Sequence, residues 1–276
     1  RVSEEESDSV VADLHRINLA YIFDLINFHS VDFDGEATGR VYATRLRSQP
    51  RADAFLQVKH FTFNEGAMGD MDVHGSWNPE QHSIFIDALI NDAGANHQTS
   101  VQGHITPGRN KPGSGIDLSI QTRRCNLHFL NKYTHHIFTG LEGRATGTVR
   151  VFGPFRQVNI EGDMRVDEAA THVNVLNVDY HLAGDSVILR PDNIWIRDAR
   201  MYDKLGRPGM DEHCAVMNVH LMHQNLKHLR YDVQAEARNV LGYDFRDFGD
   251  MPFYGTIFAT GDVKLSGRPG EMTADI

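Results

Sequence analysis

Apolar and polar residues alternate along most of this chain. The segments 84–90 and 217–221 each place an apolar residue at every second position. Successive side chains of a strand point to opposite faces, so this pattern predicts strands with one apolar and one polar face. Turn-forming residues separate the segments, as in Pro107-Gly108 and Pro191-Asp192-Asn193, and short turns favour antiparallel neighbours. The sequence therefore predicts an all-β fold, an elongated, curved, antiparallel-rich sheet with an apolar groove.

The side chains predicted to face this groove share one parity on their strands. Together they would form a continuous surface suited to hydrocarbon chains, whereas the same stripe in a sandwich would be the core between two sheets. The predicted groove residues are Ile84, Ile86, Ile116, Leu118, Ile120, Val149, Val151, Val173, Val175, Ile194, Ile196, Val263 and Leu265.

A short phrase with the pattern A-T-G-x-V occurs three times, beginning at Ala37, Ala145 and Ala259. Its copies lie roughly 110 residues apart, and self-similarity at a near-constant period indicates a fold built from stacked units. A second parallel relates the segments 116–120 and 231–235, which carry Asp117 and Asp232 at matching positions. The sequence therefore predicts units of about 110 residues.

The repeats also set the expected domain organisation. Residues 1–13 are acidic and predict a linker or disordered segment, followed by one elongated repetitive β-domain over 14–276 with units ending near 44, 153 and 267. A turn or two of helix, or an irregular excursion of the chain, is expected once per unit, at 21–27, 126–133 and 239–243. Since the chain starts at Arg1 and stops inside an alternating pattern, we expect it to be a fragment of a larger protein.

Composition narrows the classes of partner. The formal net charge of −10 argues against nucleic acid, whose phosphates attract clustered positive charge, and against electrostatic binding to an anionic membrane surface. Cys125 and Cys214 are the two cysteines; free thiols are favoured over a disulfide, which stays possible at this stage.

Residues that could carry chemistry do not assemble into a motif. Among the 16 histidines the densest groups are His135-His136 and the set His220, His223 and His228, without acids or cysteines at metal-ligand spacing. Asp198, Asp203, Asp211 and Glu212 flank a turn but lack the calcium-loop pattern. The sequence predicts a protein that is not an enzyme, with no catalytic residue, no metal site and no cofactor.

The last repeat carries a resemblance to a known family. The segments 239–241 and 253–267 read NVL and FYGTIFATGDVKLSG, and the segments 196–198 and 203–206 read IRD and DKLG, followed by His220. In this order and spacing they resemble the TamB family, the inner-membrane subunit of the translocation and assembly module, in its Bacteroidota form. The resemblance covers residues 14–276.

This resemblance implies a periplasmic, taco-shaped β-groove in a protein anchored in the inner membrane. It groups the chain with AsmA-like, bridge-type lipid transfer proteins, so phospholipid is the expected ligand. It also implies, as partners, an outer-membrane barrel protein of the BamA or TamA type and nascent outer-membrane proteins.

Two alternative functions stay open. Within the same family, the groove could hold a β-strand of an outer-membrane client, in which case the protein is a chaperone or scaffold for barrel assembly. From a different class, a carbohydrate-binding or carbohydrate-active β-protein would need a line of exposed aromatic residues with acids. The two tryptophans, Trp77 and Trp195, fall in different units.

Overall fold

The computed structural model of the chain describes residues 9–21, 32–46, 49–92, 97–108, 113–134, 138–155, 157–182, 184–224, 227–246, 254–268 and 271–275. It is 77% strand and 4% helix, so the all-β, antiparallel prediction is confirmed. The strands are β1 (Ser9–Asn18), β2 (Phe33–Thr44), β3 (Arg51–Phe63), β4 (Gly66–Asn78), β5 (Ser83–Asn91), β6 (Gln98–Thr106), β7 (Gly115–Asn126), β8 (Phe138–Gly153), β9 (Asn159–Val173), β10 (Val178–Leu182), β11 (Asp185–Arg190), β12 (Asn193–Tyr202), β13 (Cys214–Gln224), β14 (Lys227–Phe245), β15 (Gly255–Arg268) and β16 (Glu271–Asp275).

The strands form one antiparallel sheet in which strands consecutive in sequence are usually neighbours in space. The exception is the pair β10 and β11, which lie end to end between β9 and β12. Strands joined by short turns close with little loop entropy, which explains this meander.

The strands group into two compact units. Unit 1 comprises residues 1–125 and 148–159, and unit 2 comprises residues 126–147 and 160–276. The first strand, β1, begins at Ser9 and pairs with β2, so residues 9–13 are strand rather than the linker predicted from their acidity. The strands with the repeated phrase, β2, β8 and β15, end at Thr44, Gly153 and Arg268.

Of the three predicted segments, the one at 126–133 is helical. A 3-10 turn at His128–Leu130 and one helix, α1 (Asn131–Thr134), fill the connection between β7 and β8. At 239–243 the helical alternative is wrong, because these residues belong to β14, which is irregular there through a bulge at Asn239. Residues 19–21 are helical, and 22–27 lie outside the described residues.

The repeated phrase pairs with a bulge in the strand before it. In the first copy Leu14 pairs with Gly39 and Ile17 with Ala37, so two β1 residues face Thr38; the Thr38 hydroxyl accepts the Arg16 N–H at 3.1 Å. Arg16 has φ of +50°, typical of a bulge.

The third copy repeats this arrangement within unit 2. Ala237 pairs with Gly261 and Val240 with Ala259, and the Thr260 hydroxyl accepts the N–H of Asn239 at 2.9 Å. Asn239 has φ of +49°. The first and third copies therefore encode the same local structure, a strand pair with a left-handed bulge residue held by a threonine. That the whole chain consists of 110-residue units stays a prediction.

Two other bulges follow the same rule with different side chains. The Asp70 carboxylate accepts the His60 N–H at 3.1 Å, and the Asn218 side-chain carbonyl accepts the Asp198 N–H at 3.1 Å. The bulge residues His60 and Asp198 have φ of +53° and +52°. We call Thr38, Asp70, Asn218 and Thr260 the bulge clamps. Because a bulge increases local twist, each clamp fixes a bend in the sheet.

The glycine of the first phrase allows close strand approach. A Cβ at Gly39 would lie 2.0 Å from the carbonyl oxygen of Phe55 in β3, whereas a Cβ at Gly75 in β4 would have its nearest neighbour at 3.6 Å. We expect Gly39→Ala to lower the free energy of unfolding by about 2–4 kcal/mol, because β2 and β3 must separate. Gly75→Ala, the matched control on the same face, should change it by less than about 1 kcal/mol. Urea titration of both variants checks this, and equal stabilities would contradict it.

Candidate functional site: an apolar sheet face

One face of the sheet in unit 1 carries no charged side chain among the strand positions that pair in register from β1 to β7. The residues directly opposite one another in an antiparallel sheet share a face, so the register defines this set. Its members, here called the apolar face of unit 1, are Val10, Ala12, Leu14, Ile17, Ala37, Gly39, Val41, Ala43, Ala52, Ala54, Leu56, Val58, Met71, Val73, Gly75, Trp77, Ile84, Ile86, Ala88, Ile90, Thr99, Val101, Gly103, Ile105, Ile116, Leu118, Ile120 and Thr122.

Much of this face is accessible. Ile84, Ile86 and Ile116 are only partly buried, and so are Leu118 and Ile120. Full burial is confined to positions such as Ala37, Val58, Ala88 and Ile90. A face packed under a second sheet layer would have a fully buried centre, so the apolar face of unit 1 is not a sandwich core. Partly exposed apolar side chains over seven adjacent strands are typical of a surface that meets another apolar partner.

The predicted groove residues of unit 1 lie on this face. Ile84 pairs with Ile105, Ile105 with Ile116, and Leu118 with Gly103, which puts all five predicted residues of β5 and β7 on one side. On β8, Arg150 forms an ion pair on the opposite face, where its Nε lies 2.8 Å from Asp117 Oδ1. Side chains alternate along a strand, so Val149 and Val151 share the side of Leu118.

Unit 2 has a corresponding face on β11 to β16. Ile194 pairs with Leu221, Ile196 with Val219, and the adjacent strands continue the row. We call this set the apolar face of unit 2; it comprises Val187, Leu189, Ile194, Ile196, Ala199, Met201, Ala215, Met217, Val219, Leu221, Tyr231, Val233, Ala235, Ala237, Val240, Ala259, Gly261, Val263, Leu265, Gly267 and Ala274. The predicted residues Ile194, Ile196, Val263 and Leu265 belong to it.

The two remaining predicted residues behave differently. Val173 is the last residue of β9 and pairs with Val178, beside the buried cluster of unit 2. Val175 is not in a strand; it lies in the β9–β10 turn, 45% exposed. The turn is held by the Leu176 N–H, which donates to Val173 O, and Asn177 has φ of +53°. The strand alternation therefore ends at Val173, and Val175 lies within the turn. Asn177 completes this turn, because asparagine tolerates the left-handed conformation.

The sheet of unit 2 curls far enough for non-adjacent strands to meet. β12 and β13 separate β10 from β14 in the strand order, yet the Tyr180 hydroxyl of β10 donates to the Leu241 carbonyl of β14 at 2.6 Å. The Asp244 N–H also donates to Leu176 O at 3.1 Å. Val178, Tyr180, Ala215, Ala237, Val240 and Leu241 form a buried cluster at this contact. Curvature of the sheet therefore follows from contacts inside this unit.

Asp203 stabilises this closure from the β12–β13 loop. It is fully buried, and its carboxylate accepts the N–H groups of Leu205 at 2.7 Å, Gly206 at 3.1 Å and Leu241 at 2.7 Å. The pKa of Tyr180 is raised far above its ordinary value, mainly because the residue is buried and to a lesser extent because Asp203 carries a negative charge. The tyrosine hydroxyl consequently stays protonated and donates to Leu241.

The opposite, polar face carries ion pairs between adjacent strands. Arg16 and Glu36 are 2.9 Å apart, and Lys59 and Asp70 are 2.7 Å apart. Exposed pairs of this kind contribute little stability each, but they mark the solvated side of the sheet. The Lys59 ammonium, followed by the N–H of His60, holds the pKa of Asp70 below its usual range. The two faces thus differ sharply in chemistry.

Asp70 provides a test of this electrostatic pairing. Its lowered pKa adds stability that is present above the ordinary carboxyl pKa of about 3.9 and is lost as pH falls through the lowered value. Asp70→Asn keeps an oxygen for the His60 N–H and removes the charge. We expect the variant to lose less stability than the native chain between about pH 5 and pH 2. Urea midpoints across this range check it, with Asp262→Asn, an exposed carboxylate of β15, as control. The expectation would be contradicted if the stability of Asp70→Asn fell with decreasing pH as steeply as that of the native chain.

In the part of the chain that the structure describes, no three His, Cys, Asp or Glu side chains lie close enough together to hold a metal ion. His135 and His136 lie outside that part. Asp203, a candidate calcium ligand in the sequence, instead accepts backbone N–H groups. Cys125 and Cys214 are free thiols.

Sequence reasoning missed much of the apolar surface. Leu56, Val73 and Val101 occupy it as fully as the predicted residues do. Each stands in an alternating segment, but small or neutral neighbours such as Gly75 and Gly103 interrupt the row. The signal that recovers them is the register between strands, which a single strand pattern does not contain.

Comparison with models of protein families, with curated proteins and with solved structures finds no match to this chain. The TamB resemblance accordingly rests on the sequence phrases alone. Within the described ranges, no helix is both long and apolar enough to cross a membrane.

Proposed function

We propose that this chain is a groove domain that shields phospholipid acyl chains during transport through the periplasm, between inner and outer membranes, without catalysis. The observation that carries the proposal is the apolar face of unit 1, which lacks charge from β1 to β7 while its side chains remain partly exposed. Two acyl chains of about 16 carbons in water cost roughly 25 kcal/mol, at about 0.8 kcal/mol per CH₂. A continuous apolar surface removes that barrier without any reaction.

Two further features support a lipid over a globular partner. Apart from Trp77, the large side chains of the face are aliphatic or Met71, and the register positions include no Tyr or Arg, residues that with Trp concentrate binding energy in protein interfaces. The uniform aliphatic composition of the face suits a ligand that slides along it, because no single position binds an acyl chain strongly. The curl of unit 2, fixed by Tyr180 and Leu241, would let such a surface wrap around hydrocarbon.

Native mass spectrometry of the purified chain tests the proposal. We expect phospholipid to co-purify and to be displaced by excess lipid of different acyl length. The absence of bound phospholipid, together with no transfer of a fluorescent phospholipid between vesicles, would overturn it.

A second candidate function, a scaffold that binds strands of outer-membrane proteins, has one observation in its favour. Among the described strands, β1 pairs on one side with β2 and lies at the end of the strand order. Val10 and Val11 are exposed on its two faces. An edge strand of this kind can accept an added strand. Crosslinking from position 11 to a client strand, instead of to lipid, would favour this function.

A further inference from the structure

The polar face carries a recurring side-chain pattern that the lipid proposal does not use. Three times, an aromatic residue, a histidine and an aspartate stand directly opposite one another on three adjacent strands. The rows, here called the aromatic–His–Asp platforms, are Phe55–His74–Asp87, Phe85–His104–Asp117 and Trp195–His220–Asp232. Two lie in unit 1 and one in unit 2.

The rings of each platform are in contact. Phe55 and His74 stack with centroids 4.3 Å apart and planes 5° apart, and Trp195 and His220 stack at 5.1 Å and 14°. In the second platform, the Phe85 and His104 centroids are 5.2 Å apart with tilted planes. Phe55 is 52% exposed although the residues around it are charged. The Phe55 ring is therefore accessible to a ligand on the polar face.

Each histidine is also held by a polar side chain. His74 Nε2 lies 3.4 Å from Asp53 Oδ1, and His220 Nε2 lies 2.8 Å from Asn193 Oδ1. His104 Nδ1 lies 3.5 Å from the Ser83 hydroxyl. Rings fixed in this way lose little rotamer freedom when a ligand stacks on them, so the platforms are preorganised for binding.

We propose that the aromatic–His–Asp platforms bind a neutral glycan. Sugar C–H faces stack on aromatic rings, while hydroxyl groups bond to the adjacent carboxylates and imidazoles. Asp87 and Asp232 repel phosphate and sulfate groups, whereas the charge of Asp117 is paired with Arg150. With the net charge of −10, these carboxylates disfavour nucleic acid, anionic membranes and acidic glycans.

An extended peptide fits less well. The strands under the platforms, β3 to β7 and β12 to β14, already pair on both sides within the sheet. A peptide there cannot add as a strand, so its polar backbone would go unpaired by the sheet. A glycan needs no backbone pairing. The proposal concerns the polar face and is independent of lipid binding on the apolar face.

Isothermal titration of the full chain with a soluble β-1,4-linked N-acetylglucosamine hexamer tests the proposal. We expect saturable binding in which Phe55→Ala weakens the affinity of the unit 1 site about tenfold and Trp195→Ala weakens that of the unit 2 site about tenfold, each leaving binding to the other unit unchanged. Leu89→Ala is the matched control, since Leu89 is an exposed apolar residue of the same polar face outside the platforms. We expect it to bind like the native chain. Imidazole NMR signals of His74, His104 and His220 should shift on binding.

Three outcomes overturn the proposal: no saturable binding of the hexamer to the native chain, an equal loss in Leu89→Ala and Phe55→Ala, or displacement of the hexamer by an unstructured peptide at similar concentration. Circular dichroism of each variant separates lost binding from lost folding. Because Leu118→Glu alters only the apolar face, its lipid and glycan readouts distinguish failure of this proposal from failure of the lipid proposal.

Discussion

Leu118→Glu is expected to abolish lipid retention by this chain while the fold survives. Leu118 is partly exposed on the apolar face of unit 1 and pairs with Gly103, so a longer side chain fits without a clash across the strand pair. An unpaired carboxylate on an apolar surface costs several kcal/mol, and it protonates or draws in water. An acyl chain that moves along the apolar face would therefore meet a charged or hydrated position at residue 118. Lipid content after purification, measured by mass spectrometry, gives the readout.

The matched control lies one residue away. Ser119 faces the polar side and pairs with Gln102, so Ser119→Glu adds the same charge to the solvated face. We expect it to retain native amounts of lipid, whereas Val151→Glu, a second acid on the apolar face, should behave like Leu118→Glu. Equal lipid retention in the Leu118 and Ser119 variants would refute the proposal that the apolar face of unit 1 shields acyl chains. Binding of client strands would then be the better proposal for the function of this chain.

Asp203→Leu is expected to lower the free energy of unfolding by about 2–6 kcal/mol, at about 1–3 kcal/mol for each N–H group left without an acceptor. The substitution leaves the buried N–H of Leu241 and the partly buried N–H of Leu205 without the Asp203 carboxylate, whereas the Gly206 N–H keeps its bond to the Asp203 backbone carbonyl. Whole domains are stable by only about 5–15 kcal/mol. The loss should therefore open the contact between β10 and β14. Hydrogen exchange at Leu241, combined with urea titration, measures it.

Two variants calibrate this result. Asp203→Asn keeps one oxygen acceptor but turns an amide toward another donor, so its stability should fall between that of Asp203→Leu and the native chain. Asp211→Leu changes an exposed aspartate of the same loop and should cost less than about 0.5 kcal/mol. Comparable destabilisation in the Asp211 and Asp203 variants would mean that the carboxylate does not stabilise the closure.

The fold class, and which residues of one strand share a face of the sheet, could be predicted because both depend on a local period of two. Ile84 and Ile86, or Ile194 and Ile196, need only their own strand to specify a face. The helical alternative for 239–243 was wrong because a bulge, rather than a helix, interrupts that period. Asn239 takes φ of +49°, and Val240 and Leu241 are then buried in succession within β14.

Other features depend on partners far along the chain. Tyr180 and Leu241 are 61 residues apart, and nothing near either residue in the sequence indicates their hydrogen bond. The platforms were missed for the same reason. Phe55 and His74, or Trp195 and His220, become neighbours only through strand register, so a search for a line of tryptophans passes over them.

The bulge clamps have a consequence for how this architecture can diverge. Thr38, Asp70, Asn218 and Thr260 all stand on the polar face, where they hold N–H groups of an adjacent strand. The bend of the sheet is thus controlled from one side, whereas the hydrophobicity of the apolar faces is set from the other. A single exchange among threonine, aspartate and asparagine can change curvature without changing an apolar residue. Sheet curvature and surface hydrophobicity can therefore evolve, or be engineered, as separate variables.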